Sequence, residues 1–342
     1  TTRTWILTED ILTRIALLTT TETDLLSARA SQADYVYGNP AKLDVNAVKK
    51  LIDGAELIVF RFLGGKEQLP ETFTTCVESG LPLVVLGGQH TPDATLMELS
   101  TVPMGVAAQA HSYFVQGGLD NLRNAHAFLA DTVLLTGDAF EPVSMMPVWS
   151  ELPRPDDPTD EPAGHRRPRI GIIFYRAHYA AGNIAHIIAL ADAIDAAGGL
   201  AVPIQTASLR DPDPGLIEYL RTCDAIITTV QASGGLTPAE ASAGGDEGVE
   251  QLAKLDVPIL QGLTVTWSRE TWEATDDGMG PYDVANQVAV PEFDGRLITV
   301  SFSFKEIDAD GLPHYVPDLE RCARVAGLAV NHARLRLIPP AE

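Results

Sequence analysis

RIGIIFYRAHYAAGNIAHIIALADAIDAAGG, residues 169–199, opens on a short apolar run and closes on a segment whose apolar residues recur at three- and four-residue steps before a Gly-Gly pair. The run is of the length and composition of a strand buried on both faces, and the closing segment has the period and stop signal of a helix. Between them lies a strand-to-helix turn. Such turns favour small polar residues, yet this one carries Arg176, His178, Asn183 and two tyrosines. Open α/β sheets bind ligands at the carboxyl ends of their strands, and a guanidinium grips a carboxylate through two parallel hydrogen bonds. The turn is therefore a candidate binding loop, with a structural ion pair or a carbonyl-capping role as the competing reading of Arg176.

The same alternation extends outward from this stretch. LAVPIQT, DAIITTV and VPILQGLTV alternate with GLIEYLRT and GVEQLAKL on the C-terminal side, and IALLT, ELIVFRF and LPLVVLG alternate with NAVKKLIDG and ETFTTCVESG in the first half. The expected fold class is α/β: two doubly wound, mostly parallel β/α domains. Between them EPVSMMPVWSELPRPDDPTDEPAGHRRPR places seven prolines from Pro142 to Pro168 and loses hydrophobic periodicity, as a linker does. The expected division is 1–145, a Pro-rich linker at 146–168, and 169–342. GAELIVFRFLGG and CDAIITTVQASGG echo each other, through duplication or through the common look of doubly wound sheets. The chain closes on an alternating strand, GRLITVSFSFKEID, and an amphipathic helix, DLERCARVAGLAVNHARLRL.

Composition narrows the partners. The 342 residues carry 24 Lys and Arg against 46 Asp and Glu, a formal net charge of −22, which repels nucleic acid and anionic membrane surfaces. Any site for an anionic ligand must be a locally basic exception. The 3 cysteines lie far apart without a C-x-x-C, so neither a disulfide framework nor a thiolate zinc site is expected, and a cytoplasmic location fits. No apolar stretch reaches the ~20 residues of a membrane span.

Familiar catalytic motifs are missing. LGGKEQ has Phe60 and Glu67 where a phosphate-binding loop needs Gly and Ser or Thr, and neither G-x-G-x-x-G after a strand nor G-x-S-x-G occurs. The small-residue loop at 231–248 reads as a surface loop rather than an anion cradle, because Asp246 and Glu247 oppose phosphate. No two histidines have the spacing of a helical metal pair, and His186, inside an apolar helix face, reads as a hydrogen-bonded core histidine. Arg61, at the end of ELIVFRF and before LGG, occupies in the first half the place that Arg176 holds in the second. In PEFDGR, Asp294-Gly295 reads as a turn between two strands with Glu292 and Arg296 paired across it.

TETDLLSARA, FRFLGG, GGLDNLRNAHAFLADTVLLTG, FYRAHYAAGN, VPILQGLTVTWSRETWEA, VANQVAVPEFDGRLITVSFSFKE and DLERCARVAGLAVNHARLR occur in the order found in the N-terminal region of the large subunit of aerobic, ATP-dependent cobaltochelatase. The chain resembles that family, which is related to the magnesium chelatase H subunit, nearly end to end. The resemblance implies a head-and-neck portion of a longer tetrapyrrole-binding subunit, ending here at LIPPAE as an excised piece or a natural short form, and inactive alone. It implies a corrin precursor, hydrogenobyrinic acid a,c-diamide, as substrate, Co²⁺ as the metal inserted, and ATP hydrolysed by partner AAA+ subunits and not bound by this chain. Arg176, His178, Asn183, Gln261, Glu292, Asp294 and Arg296 match family motifs, and all of these but Asp294 are, with Arg61, the expected substrate-binding residues. The alternatives are a non-enzymatic docking or tetrapyrrole-binding module, or the equivalent part of a magnesium chelatase H subunit.

Overall fold

The structure, a computed structural model, describes residues 13–89, 91–154, 166–231 and 247–337. The chain divides into two compact units, Thr1–Met146 with Ala180–Gly182, and Pro147–Tyr179 with Asn183–Glu342.

In the first unit β1 (Ile15–Thr19), β2 (Tyr35–Gly38), β3 (Leu57–Phe62) and β4 (Leu83–Gly87) form a parallel sheet in the order β2-β1-β3-β4. Its central strands are continuously apolar because both faces are covered. Ile15, Leu17, Leu57 and Val59 pack with residues of two later helices, Met104–Gln116 and Leu119–Leu134. Ala16, Leu18, Ile58 and Phe60 pack with Val48, Ile52 and Cys76 on the opposite face. α1 (Glu22–Ser31) leads from β1 to β2.

The second unit is built on seven strands: β5 (Trp149–Glu151), β6 (Arg169–Tyr175), β7 (Leu200–Thr206), β8 (Ala225–Thr228), β9 (Ile259–Val265), β10 (Leu297–Ile307) and β11 (Pro313–Pro317). Their order is β11-β10-β9-β8-β6-β7-β5, with the five central strands parallel and both edge strands antiparallel to their neighbours. α2 (Ala185–Ala196) follows β6 and stops where Gly198 takes φ +82°, a left-handed conformation that needs no Cβ. Ile170, Ile172 and Phe174 pack on one face with α2 and with α3 (Leu319–Leu337), whereas Ile173 and Tyr175 face Leu216, Leu220 and Leu252 on the other. Each fully buried Ile or Leu here contributes ~1.5–3 kcal/mol.

The α/β class and the parallel sheets follow the expectation, and the two sheets share one winding: β2-β1-β3-β4 in the first, β7-β6-β8-β9 in the second. Three local readings change. Within the stretch read as linker, Trp149–Glu151 joins the sheet through β7, because Trp149 packs on Tyr219 and donates to Asp213. The turn 176–183 contains a short helix, Arg176–Ala180. Asp294-Gly295 joins a helical segment, Val290–Phe293, to β10 rather than two strands. Residues 155–165 of the linker and 232–246 of the small-residue loop lie outside the described residues. Among the described residues no helix is long and apolar enough to cross a membrane.

Candidate functional site

The chain leaves β6 toward β7 on one side, whereas β8, β9 and β10 are laid down on the other, so the winding reverses between β6 and β8. Beyond the carboxyl ends of such strands the two connections diverge and leave a crevice. Here the connection after β6 supplies Arg176 and His178, and that after β8 supplies Val230 and Gln231. The Gln231 N–H donates to the Tyr175 hydroxyl at 3.2 Å and ties the two loops together.

Arg296, just before β10, reaches the loop after β8 with its side chain. Its Nη1 donates to the Val230 carbonyl and, at 2.6 Å, to Gln261 Oε1; its Nη2 pairs with Asp294 at 3.0 Å. Burial pulls the Arg296 pKa down, and Asp294 opposes that shift. The expected Glu292–Arg296 pair is thus replaced by Asp294–Arg296. Gly295, at φ +77°, turns the chain so that the neighbouring Asp294 and Arg296 meet, while Glu292 is left exposed on the helix. Burial raises the Tyr175 pKa, and the Gln231 N–H, Arg296 and Arg210 oppose that rise. Arg176 is buried, donates to the Pro147 carbonyl at 3.5 Å, and has its pKa lowered by burial.

A helical strap holds the far side. Pro281–Asp283, a π-helical segment at Val284–Ala289, and Val290–Phe293 run on continuously. The buried Gln287 amide accepts from Thr264 N at 2.7 Å and donates to the Thr264 carbonyl, taking the part of a strand beside β9 where β8 has already ended. Asp283, fully buried, accepts from Thr266 N at 2.9 Å and from Gln287 at 3.0 Å. The backbone N–H groups of Thr264 and Thr266 thereby gain from the strap the acceptors that a neighbouring strand would otherwise supply.

His178 borders an aromatic cluster. Its ring lies 6.1 Å from Tyr175, 5.9 Å from His186 and 5.4 Å from Tyr315, and Asn183 Oδ1 accepts from Tyr315 N at 2.9 Å. His186 is in the core as expected, but neither ring nitrogen has a hydrogen-bond partner among the described residues. Its packing partners are the rings of Phe302, Tyr315 and His178 rather than polar groups, so burial, helped by His178, drives its pKa well below the usual histidine value.

The structure therefore joins Gln261 to Arg296, places Arg176 and His178 together on the connection after β6, and uses Asn183 to anchor that connection to β11. Arg61 belongs to the other unit: its Nη1 lies 2.6 and 2.7 Å from the two Asp24 oxygens, and it also donates to the Gly87 and Gly88 carbonyls. Sequence reading missed Tyr175, Asp283 and Gln287, and it named Asp294 as a motif residue without its pairing to Arg296. Only the i, i+4 spacing of Asp283 and Gln287 offered a signal. Among the described residues no three His, Cys, Asp or Glu side chains converge to hold a metal ion.

Residues 111–342 match the family model for CobN/Magnesium Chelatase. The chain is 51% identical to the catalytic subunit of cobaltochelatase from Mycobacterium tuberculosis and superposes on it with a TM-score of 0.75, over 96% of this chain and 28% of that one. It is 31% identical to the aerobic cobaltochelatase subunit CobN of Sinorhizobium sp, over 86% of this chain and 25% of the relative. The magnesium-chelatase H subunit of Rhodobacter capsulatus is 29% identical over 56% of this chain and 17% of its own length. The chain thus spans about a quarter of the length of the cobaltochelatase relatives it matches. A family match over most of the chain, with a shared fold at 51% identity, makes this chain a member of the CobN/magnesium chelatase family.

Proposed function

We propose that the crevice beyond β6 and β8 binds a carboxylate-rimmed tetrapyrrole, of the class of hydrogenobyrinic acid a,c-diamide, for insertion of Co²⁺ by a cobaltochelatase whose ATP-hydrolysing AAA+ subunits are separate chains. What supports this reading is that two buried arginines, Arg176 on the connection after β6 and Arg296 bonded to the Val230 carbonyl after β8, lie on segments next to these strand ends in a chain of net charge −22. A carboxylate-bearing ligand needs such a local reversal of charge, and the neighbouring aromatic rings offer apolar area to a macrocycle. Cobalt is the reading favoured over magnesium because the higher identities are to cobaltochelatase subunits.

In this reading Arg176 pairs with a rim carboxylate and Arg296 keeps Gln261 and the β8 loop in place. Metal insertion displaces two protons from pyrrole nitrogens, and in this reading the His178 imidazole, a side chain of the kind that serves as a general base, accepts one. The cytoplasm suits the three cysteines, all buried and unbridged. Titration of the chain with hydrogenobyrinic acid a,c-diamide, followed by tryptophan fluorescence and by the macrocycle's absorption, tests the reading. Saturable quenching with a shifted absorption band supports it; a chain that ignores the macrocycle and binds only the AAA+ subunits is a docking module instead.

A further inference from the structure

Three connections meet at the carboxyl edge of the second sheet, and the one after β7 has so far had no role. It carries Arg210. Its backbone is fixed: Leu209 is fully buried, Ser208 Oγ accepts from the Arg210 N–H at 3.1 Å, and Thr206 Oγ1 donates to the Ser208 carbonyl at 3.1 Å. Asp213 completes the anchor by accepting from Gly215 N at 2.8 Å and from Trp149 Nε1 at 3.1 Å. The Arg210 side chain, in contrast, is exposed and forms no ion pair among the described residues.

Tyr175, at the end of β6, faces the same edge. Its oxygen accepts from Gln231 N, so the hydroxyl proton is left to donate, and no acceptor takes it among the described residues. Tyr175 is in register with Thr206 at the end of β7, so the loop that carries Arg210 leaves the sheet beside it. Arg296 is committed to Val230, Gln261 and Asp294, whereas Arg210 is not committed. We infer that the Tyr175 hydroxyl and the Arg210 guanidinium form a carboxylate subsite, one oxygen taking the phenolic proton and the guanidinium taking the charge. A phosphate fits less well, since the Gln231 N–H that would help to cradle it is already spent on Tyr175. This assignment rests on the tetrapyrrole reading above and adds two residues to it that hold a rim carboxylate.

The test titrates this chain and its Tyr175→Phe, Arg210→Gln and double variants with hydrogenobyrinic acid a,c-diamide, and with the same macrocycle after its free carboxylates are converted to amides. Each single variant is expected to bind the acid about tenfold more weakly, the double variant less than the product of the two. Amidation removes the carboxylate partners of both Arg176 and the subsite, so it should weaken binding to the unsubstituted chain about tenfold more than it weakens binding to Arg210→Gln. Thermal midpoints confirm that each variant is folded, which the exposure of Arg210 favours. If both single variants bind within twofold of the unsubstituted chain while Arg176→Ala binds weakly, the subsite is wrong and the crevice reading stands. Absence of binding to the unsubstituted chain would overturn both.

Discussion

Replacing Arg61 by methionine separates a structural arginine from a ligand-binding one. Arg61 and Asp24 are buried, with side-chain exposures of 5% and 4% and a closest approach of 2.6 Å. The methionine keeps the aliphatic stem but leaves Asp24 as a charge without a counter-ion, its remaining side-chain partner among the described residues being the Thr19 hydroxyl at 2.8 Å. Breaking a buried pair from one side costs ~3–5 kcal/mol, and the Gly87 and Gly88 carbonyls lose a donor as well. With a urea dependence of about 2 kcal/mol per molar, the first unit should unfold roughly 2 M earlier. Hydrogen exchange of peptides from β1 and β3 across a urea series reads this unit specifically. Adding Asp24→Leu should recover most of the loss, because an apolar pair replaces a buried ion pair at little cost. A destabilisation below about 1 kcal/mol, or weakened macrocycle binding with β1 and β3 fully protected, would refute the clamp and return Arg61 to the ligand site.

Three further outcomes follow from the same contacts. Gln287→Leu removes both bonds to the Thr264 backbone and should destabilise the second unit by about 2–4 kcal/mol in chemical denaturation, without abolishing its parallel sheet. His186 is held neutral, with a folded pKa below its unfolded value of about 6.5, so the unfolded state binds the extra proton. The stability this contributes is complete above pH 6.5 and lost as pH falls toward the folded pKa, at up to ~1.4 kcal/mol per pH unit, and His186→Phe should remove that slope from the second unit's unfolding between pH 6.5 and 5. Calorimetry should find no ATP binding at micromolar affinity, since LGGKEQ cannot close a phosphate loop.

Strand positions were legible because doubly covered strands are apolar without interruption, and IALLT and RIGIIFY coincide with β1 and β6. β2, only four residues long and half-buried, lacks that signature. Arg61 and Arg176 look alike in sequence because each ends a strand. What distinguishes them is Asp24, 37 residues away on α1, and no local pattern announces it. The crevice was half legible for a similar reason. FYRAHYAAGN advertises itself by bulky polar residues in a turn, but Tyr175 at the end of β6 and Arg210 and Gln231 on two other connections are brought to one edge only by the winding of the sheet. The Gln287 strap was hidden because its purpose depends on β8 ending at Thr228, short of the end of β9.

The central claim, a tetrapyrrole held by the loop after β6, is tested most directly by the affinity of folded Arg176→Ala for hydrogenobyrinic acid a,c-diamide, measured beside the unsubstituted chain at one ionic strength. A charge-assisted pair is worth about 1.5–3 kcal/mol, so the account predicts saturable binding that the substitution weakens about tenfold or more. Affinity unchanged within twofold, with only the unfolding midpoint lowered, would make Arg176 a clamp on the Pro147 carbonyl and contradict the claim.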